Sequence, residues 1–135
     1  MSESQQKSKI IEFQILNQQV QQLHEQIQVI NNNIQELQIL KNSLEELESV
    51  RKDQEILIPL GQGIFTKGNI INPDELITNV GSNILIEKNL KDTKDTIKIN
   101  ILNLSKALER TEEEISRNIE KLQGLQKEII EKDKQ

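Results

Sequence analysis

The sequence contains no cysteine, no tryptophan and no tyrosine, and only two of its 135 residues are phenylalanine. Without cysteine the chain offers no disulfide and no thiolate to a metal ion or a substrate. Large aromatic side chains usually anchor the core of a compact globular protein. Their scarcity therefore favours a fold that is stabilised by many thin layers of leucine and isoleucine.

A basic surface is also missing. Charged residues make up 29% of the sequence with both signs interspersed, and the net charge is −5. Nucleic-acid binding requires a basic stripe that displaces counterions, and anionic lipid is a poor partner for the same reason. No apolar run approaches the length of a membrane span, and the first residues lack the apolar stretch of a signal peptide. We therefore expect a cytoplasmic protein with no nucleic-acid and no membrane partner.

Proline and glycine are absent from residues 8–53. In this stretch apolar residues recur at alternating spacings of three and four, which is the pattern of a coiled-coil seam. Lys41 then occupies an expected apolar position and the pattern slips by one residue, which indicates a relaxed supercoil. The regular part of the seam consists of Phe13, Leu16, Val20, Leu23, Ile27, Ile30, Ile34 and Leu37.

A second stretch with the same spacing covers residues 89–132. It starts at Asn89, and an acidic residue three positions later is typical of a helix N-terminus. Two polar residues, Thr111 and Asn118, interrupt this seam, at a cost in stability but with the potential to fix the register. Asn118 is either buried in the seam or displaced to its edge by Ile119, and the sequence favours neither. The seam consists of Ile97, Ile101, Leu104, Leu108, Thr111, Ile115, Asn118, Leu122, Leu125 and Ile129.

The segment between the two helical stretches is rich in β-branched residues and contains four of the five glycines. Pro73 marks a turn, and Gly81-Ser82-Asn83 separates two short apolar runs as a tight turn separates two strands. Because proline cannot donate to a strand ladder, we expect Pro59 at an edge or a bulge. The segment is predicted to form four short strands in two hairpins.

The sequence thus predicts a mainly α fold with a small β insert, in which a long antiparallel two-helix coiled coil carries two β-hairpins between its helices. The predicted segments are 1–54 for the first helix, 55–88 for the hairpins and 89–135 for the second helix, within a single domain overall. Two hairpins alone are marginal in water and have open edges, so they are expected to pair with other chains. The residues expected to carry this oligomerisation are Ile56, Ile58, Ile64, Phe65, Ile70, Ile77, Val80, Ile84 and Ile86.

The two seams allow two antiparallel registers. The preferred register places Ile30 opposite Ile115 in an apolar layer. The alternative register is shifted by one heptad and places Lys94 opposite Leu44. Burying a lysine is unfavourable unless its ammonium reaches water, and for this reason the first register is preferred.

Apolar residues outside the seam occur near the start of the first helix and near the end of the second, and an antiparallel hairpin brings these ends together. Clustered exposed apolar surface usually marks a binding site. The alternative is ordinary composition, since Val29 and Ile119 are also off the seam. In the preferred register Phe13 lies beyond the last apolar layer, opposite polar residues near Lys132. The residues expected to form this tip are Ile10, Ile11, Phe13, Ile15, Leu16, Leu125, Ile129 and Ile130.

Three pieces of the insert form a recognisable pattern: residues 57–63 (LIPLGQG) with Phe65 and Gly68, then Val80-Gly81, then residues 84–88 (ILIEK). This pattern resembles that of prefoldin alpha subunits of the archaeal type, whereas the helices match that family only in length and periodicity. Asn83 stands where a second turn glycine is expected, but asparagine tolerates positive φ better than most residues. The presence of two hairpins rather than one favours the alpha class.

The resemblance implies a hexamer of two alpha subunits and four prefoldin beta subunits, whose strands join into a shared β-barrel platform carrying six coiled coils. It implies an ATP-independent chaperone that holds unfolded polypeptide clients at the coiled-coil tips and passes them to a group II chaperonin. The alternative function is a structural coiled-coil tether that binds one folded partner. The insert favours the chaperone, because a tether needs no oligomerising sheet.

The sequence gives no support to an enzyme. The single histidine, His24, lies beside the seam and is expected to be a surface side chain. Residues 61–63 are not a phosphate loop, because no Gly-Lys-Ser/Thr follows them. The acidic run 112–114 is expected to be a solvated helix face. With no nucleophile–base pair in view, we expect no catalytic, cofactor-binding or metal-binding residue.

Overall fold

The computed structural model describes residues 2–133, with side chains described as far as Ile130. Two long helices flank four short strands, which confirms the predicted fold class. The elements are α1 (Glu3–Leu47), β1 (Gln54–Gly61), β2 (Ile64–Ile70), β3 (Glu75–Asn79), β4 (Leu85–Asn89) and α2 (Leu90–Asp133). The outermost residues of the two predicted helical segments, Met1, Lys134 and Gln135, lie outside the described residues.

The chain forms two compact units. Unit 1 contains Met1–Gln35 and Asn103–Gln135, and unit 2 contains Glu36–Leu102. Each helix therefore contributes one part to each unit, and both hairpins belong to unit 2. Over the described residues, neither helix has a stretch that is long and apolar enough to cross a membrane.

The core of unit 1 is a cluster of seam residues. Val20 and Leu23 of α1 are buried together with Ile115 of α2, and Ile27 and Leu122 pack against them. All five lie at the seam positions that the spacing of three and four predicts, because this spacing keeps one stripe of a helix facing its partner. The stability of unit 1 thus rests on thin apolar layers rather than on a large core.

Asn118 is buried in the same seam. Its side chain is 8% exposed, whereas the neighbouring Ile119 is 37% exposed. Of the two interpretations that the sequence left open, the structure selects the buried one. An amide side chain therefore occupies a layer of an otherwise apolar seam, and removing that amide from water costs free energy.

The core of unit 2 joins both helices to a hairpin. Leu44, Leu90 and Ile97 are buried together. The second hairpin is attached to this cluster through the side chain of Leu76, and the backbone N–H of Leu90 donates to the carbonyl of Asp74 at 3.1 Å. The partly buried residues around the cluster are Leu37, Leu47, Leu76 and Ile101.

The register that the sequence favoured is wrong. Ile115 lies in one cluster with Leu23, whereas the preferred register places it opposite Ile30, two layers away. This grouping is the one expected from the register shifted by one heptad. Lys94, whose burial made the shifted register unfavourable, does not leave its charge unpaired, because its ammonium bonds to the carboxylate of Glu48.

A second lysine in the seam is accommodated in a similar way. Lys41 keeps 31% of its side chain exposed, and its ammonium lies 3.9 Å from the carboxylate of Glu45 on the next turn. In both cases the alkyl stem lies along the seam while the charged end meets a carboxylate. A lysine in the seam is therefore compatible with the shifted register when a carboxylate lies within reach of its ammonium.

The hairpins have the predicted form. In the first, β1 and β2 pair antiparallel from Gln54 opposite Ile70 to Pro59 opposite Phe65, and the register shifts between Pro59 and Gly61. Pro59 thus lies at a bulge, as predicted. In the second hairpin β3 and β4 pair regularly along the length of both strands, without a bulge.

Local side-chain bonds fix the turns and the start of α2. Asn83 adopts φ of +61°, which confirms that asparagine replaces glycine in the second turn. The side chain of Asn79 accepts from the N–H of Gly81 at 2.9 Å. Asn89 caps α2 by accepting from the backbone N–H of Asp92 at 2.7 Å, and it donates to the carboxylate of Asp92 at 2.9 Å. These bonds satisfy donors that a helix terminus otherwise leaves open.

The register generates the first prediction. The side chains of Leu23 and Ile115 share one cluster, so Leu23→Cys with Ile115→Cys should be joined efficiently by a short bismaleimide crosslinker. The matched control is Ile30→Cys with the same Ile115→Cys, which should react more slowly because Ile30 lies about 10 Å further along α1. Denaturing electrophoresis or intact mass after brief treatment measures both. Faster crosslinking of the control pair would restore the register that the structure rejects.

The buried amide generates the second prediction. Asn118→Leu should raise the free energy of unfolding by about 1–2 kcal/mol, because an amide is no longer removed from water. The control Asn103→Leu makes the same change at an exposed position of α2, where only helix propensity contributes, a few tenths of a kcal/mol. Thermal or urea unfolding followed by circular dichroism compares the two. Equal gains would show that burial of Asn118 carries no penalty.

Candidate functional site

An ion pair shows that the start of α1 and the end of α2 lie side by side in unit 1. The ammonium of Lys9 lies 2.5 Å from the carboxylate of Glu128. Lys9 is close to the start of α1 and Glu128 is close to the end of α2, so the helices run antiparallel with these ends adjacent. The apolar residues that the sequence assigned to the tip therefore lie near one end of the helix pair in unit 1.

The predicted tip residues fall into two groups. Four of them continue the seam and are half-buried: Phe13, Leu16, Leu125 and Ile129. The other four point away from the seam and are exposed, Ile11 by 56% and Ile15 by 50% of their area. We name this second group the tip patch; it consists of Ile10, Ile11, Ile15 and Ile130.

The placement of Phe13 corrects a prediction. In the register that the sequence favoured, Phe13 lacks an apolar partner and faces polar residues near Lys132, whose side chain lies outside the described residues. In the structure Phe13 is half-buried, because the shifted register extends the seam beyond it. Lys9, one turn earlier on α1, still reaches α2 through Glu128. Phe13 is thus part of the scaffold, and the exposed surface is the tip patch.

Exposure alone does not single out the tip. Val29 is 59% exposed and also lies off the seam. Ile11 and Ile15 of the tip patch lie one turn apart on the same face of α1, whereas the residues one turn away from Val29, Glu25 and Asn33, are polar. Grouped apolar area, rather than single exposed residues, is what marks an interaction surface.

The hairpins expose a second set of apolar side chains. Each sheet has two strands in the described structure, so each strand has one edge without a partner. Of the predicted oligomerisation residues, Ile56 and Ile70 are half-buried. The remaining seven are exposed: Ile58, Ile64, Phe65, Ile77, Val80, Ile84 and Ile86.

Sequence reasoning omitted three leucines that belong to the same surface. Leu57 is 62% exposed, and it lies on the face of β1 opposite to Ile56 and Ile58, since successive side chains alternate across a strand. The first hairpin, formed by β1 and β2 and called hairpin 1 below, therefore exposes apolar side chains on both faces. The signal was present in the sequence as consecutive apolar residues, which are typical of a strand covered on both sides. The other two are Leu60 and Leu85.

The absence of a side chain at Gly68 makes room for a neighbouring isoleucine in hairpin 1. A Cβ atom at Gly68 would lie 2.6 Å from Cδ1 of Ile58. Gly68 faces Ile56 across the ladder, and the space that a side chain would fill is taken by Ile58, which lies two residues further along β1 on the same face. The glycine thus lets an exposed isoleucine fold over its own hairpin.

These features define a class of protein: a two-helix coiled-coil subunit with incomplete β-hairpins and exposed apolar helix ends. The family model for prefoldin subunits matches residues 16–135. The alpha subunit of prefoldin from Methanococcus vannielii is 34% identical over 79% of this chain and 68% of its own length. That of Thermofilum pendens is 25% identical over 87% of this chain and 92% of its own length.

A solved structure shares the fold. A filamentous PFD from Methanocaldococcus jannaschii, determined by cryo-EM, superposes with a TM-score of 0.69 at 20% identity and covers 84% of this chain and 93% of its own. The chain belongs to the prefoldin family. It is a chaperone subunit, and membership of this family favours that role over the alternative of a coiled-coil tether.

Proposed function

We propose that this chain is the alpha-type subunit of a cytoplasmic, ATP-independent holdase that captures non-native polypeptides at its tip patch and delivers them to a group II chaperonin. The observation that supports the proposal is the set of exposed isoleucines on the two helix ends that the Lys9–Glu128 ion pair holds together. An unfolded polypeptide exposes apolar side chains that lack a partner. The two surfaces therefore complement each other without a folded interface.

Capture by this surface is weak at each site. Burying one large apolar side chain contributes about 1.5–3 kcal/mol, and part of this is lost to the ordering of both chains. Several tips must therefore act on one client, and their linkage raises the overall affinity while each contact remains releasable. Burial of apolar surface needs no nucleotide, cofactor or catalytic group, and none is part of the proposal.

The assembly that supplies several tips follows from the hairpins. We propose a hexamer of two copies of this chain and four prefoldin beta subunits, in which the strands join into a shared β-barrel platform. Unpaired strand edges and apolar side chains exposed on both faces of hairpin 1 support this proposal. Joining strands to a neighbour satisfies the edge donors and covers the apolar faces in one step.

The tip patch generates the third prediction. Ile11→Ser with Ile15→Ser should weaken capture of a denatured test protein several-fold, because two large apolar contacts are removed from every copy of this chain. The seam is unchanged, so the melting temperature should stay within a few degrees. Light scattering of the aggregating test protein, with the chain and its beta subunits in excess, measures capture.

The matched control for the tip patch is Val29→Ser with Ile119→Ser, which removes two exposed off-seam apolar side chains elsewhere in unit 1. This variant should protect the test protein as the unmodified assembly does. Equal losses in both variants would mean that clients contact apolar residues along the helices without preference. Full protection by the tip variant would place the client site elsewhere.

Assembly generates the fourth prediction. Mixed with prefoldin beta subunits, the chain should give a native mass of two copies of itself and four of the partner. Ile77→Pro with Glu87→Pro should abolish this species, because both N–H groups face away from the hairpin. In an antiparallel strand the side toward which the N–H points alternates from one residue to the next. The N–H of Val80 points into the hairpin, where it donates to the carbonyl of Ile84 at 3.0 Å, so the N–H groups of Ile77 and of its ladder partner Glu87 point outward.

The choice of positions matters for this test. Ile86 faces Thr78 across the ladder, and the same alternation directs its N–H into the hairpin. Proline at Ile86 would therefore damage the hairpin itself and would not isolate the contact between chains. An intact hexamer of the Ile77→Pro, Glu87→Pro variant would contradict assembly through the edges of the second hairpin.

A further inference from the structure

From Ile10 to Gln35, one side of α1 carries no carboxylate, lysine or arginine. The residues that directly follow the seam residues from Phe13 to Ile34 are six amides and one histidine, and all seven are exposed. Each of them lies about 100° around the helix from the seam residue before it, so together they form a stripe along one side of the seam. We name it the amide stripe; it consists of Gln14, Asn17, Gln21, His24, Gln28, Asn31 and Gln35.

The charges of unit 1 lie mainly on α2. Residues 13–35 of α1 contain one residue of the types Asp, Glu, Lys and Arg, whereas residues 103–125 of α2, a stretch of equal length, contain nine. Because the helices run antiparallel, residues that follow seam residues lie on the same side of the pair in both helices, and residues that precede them lie on the other side. The four seam residues of α2 from Thr111 to Leu122 are each preceded by a charged residue, on the side away from the amide stripe. These are Arg110, Glu114, Arg117 and Lys121.

Helix stability does not explain the amides. Asparagine has a lower helix propensity than lysine or glutamate, and an amide cannot form the ion pairs between neighbouring turns that stabilise a charged helix. The chain does not use the amides internally either: within the described residues, none of the seven stripe side chains makes a hydrogen bond or an ion pair with another residue. The polar groups of the stripe are thus available to another molecule.

The amide stripe adjoins the tip patch. Ile10 is 39% exposed and lies four positions before Gln14, one turn away on the same side of α1. On α2, Ile130 directly follows the seam residue Ile129 and therefore lies on this side as well. Every α2 residue that follows a seam residue from Ile115 to Ile129 is uncharged. The surface therefore continues from two isoleucines of the tip patch into an uncharged polar side of the helix pair.

The amides match the hydrogen-bonding groups of a polypeptide backbone. Each glutamine or asparagine offers a carbonyl acceptor and an amide donor, and a non-native chain in extended form has N–H and C=O groups without a protein partner. The stripe rises by about 32 Å from Gln14 to Gln35, which is the length of about nine or ten extended residues. Covering an amide that gains a peptide partner costs less free energy than covering a charge.

We infer that the amide stripe binds the backbone of an extended segment of the non-native polypeptide whose apolar side chains the tip patch holds. This inference rests on the proposed function, because it adds a second contact to the same captured chain. Bonds to the backbone do not select for client sequence, which suits a surface that serves many clients. Each bond is weak in water, so the stripe acts through several bonds together with the tip patch.

Matched alanine variants test the stripe. Gln21→Ala with Gln28→Ala removes two stripe amides, and Gln19→Ala with Gln26→Ala makes the same change at exposed glutamines on the other side of the same two seam residues. The probe is a reduced and carboxymethylated test protein, which stays unfolded, and fluorescence anisotropy measures its Kd for the assembly with beta subunits. The Kd should rise at least about threefold for the stripe variant, because two bonds to the client are lost in each copy.

The Kd of the control variant should equal that of the unmodified assembly, and circular dichroism should show the same helix content in both variants. An unchanged or lower Kd for the stripe variant would overturn the inference, because removal of the amides would then cost no bonds to the client. Equal increases in both variants would overturn it as well, since the contact would not be confined to the stripe.

Photo-crosslinking locates the client directly. The sequence has no cysteine, so Gln21→Cys and Gln19→Cys, made one at a time, each accept a single benzophenone maleimide. The unfolded probe should crosslink several-fold more from position 21 than from position 19. Crosslinks from position 21 to a second copy of this chain in the absence of the probe would make the stripe a contact between subunits and would contradict the inference.

The outcomes separate the inference from the proposed function. If Ile11→Ser with Ile15→Ser weakens capture while Gln21→Ala with Gln28→Ala does not, the inference is wrong and the proposed function stands. If the unmodified assembly does not bind the unfolded probe, the proposed function and the inference are both wrong.

Discussion

The packing of α1 on α2 through one apolar stripe is the interaction on which the rest of the structure depends. The described residues form no large core: the buried apolar side chains retain 6–8% exposure, and they group into one cluster in each unit. Each layer contributes little, so stability accumulates along the seam. The scarcity of aromatic residues follows from this arrangement, because a two-helix seam accommodates leucine and isoleucine but gives few places for a large ring.

The polar residues of the seam show how a coiled coil tolerates mismatches. Lys94 and Lys41 bring their ammonium groups to Glu48 and Glu45, while Asn118 is buried as an amide. Buried polar groups lower stability, and in coiled coils they can restrict the register. The register has a functional consequence, because it decides which side chains remain outside the seam. Phe13 is half-buried in the seam, and the exposed apolar side chains at the helix ends are isoleucines.

The hairpins, unlike the helices, do not cover their own apolar side chains, and each strand has one edge without a partner in the described structure. Two strands with apolar side chains on both faces cannot cover themselves, and the first hairpin leaves Leu57 and Phe65 more than half exposed. Such a surface promotes aggregation when it stays exposed, and it can pair with another chain in an assembly. Membership of the prefoldin family fits a chain that leaves apolar side chains and strand edges of its hairpins exposed.

The sequence by itself determined the two helices, the four strands, their turns and the helix cap, because each depends on local spacing and on residues such as Pro59, Asn83 and Asn89 that act on their own backbone. It also indicated the residues at the helix ends and on the hairpins. It did not determine the register, since two alignments of the same apolar stripe differ by interactions between distant residues, such as Lys94 with Glu48. The separation of Phe13 from the isoleucines of the tip patch depended on that register. The direction in which each edge amide of the second hairpin points was decided by the bond from Val80 to Ile84, which only the folded hairpin forms.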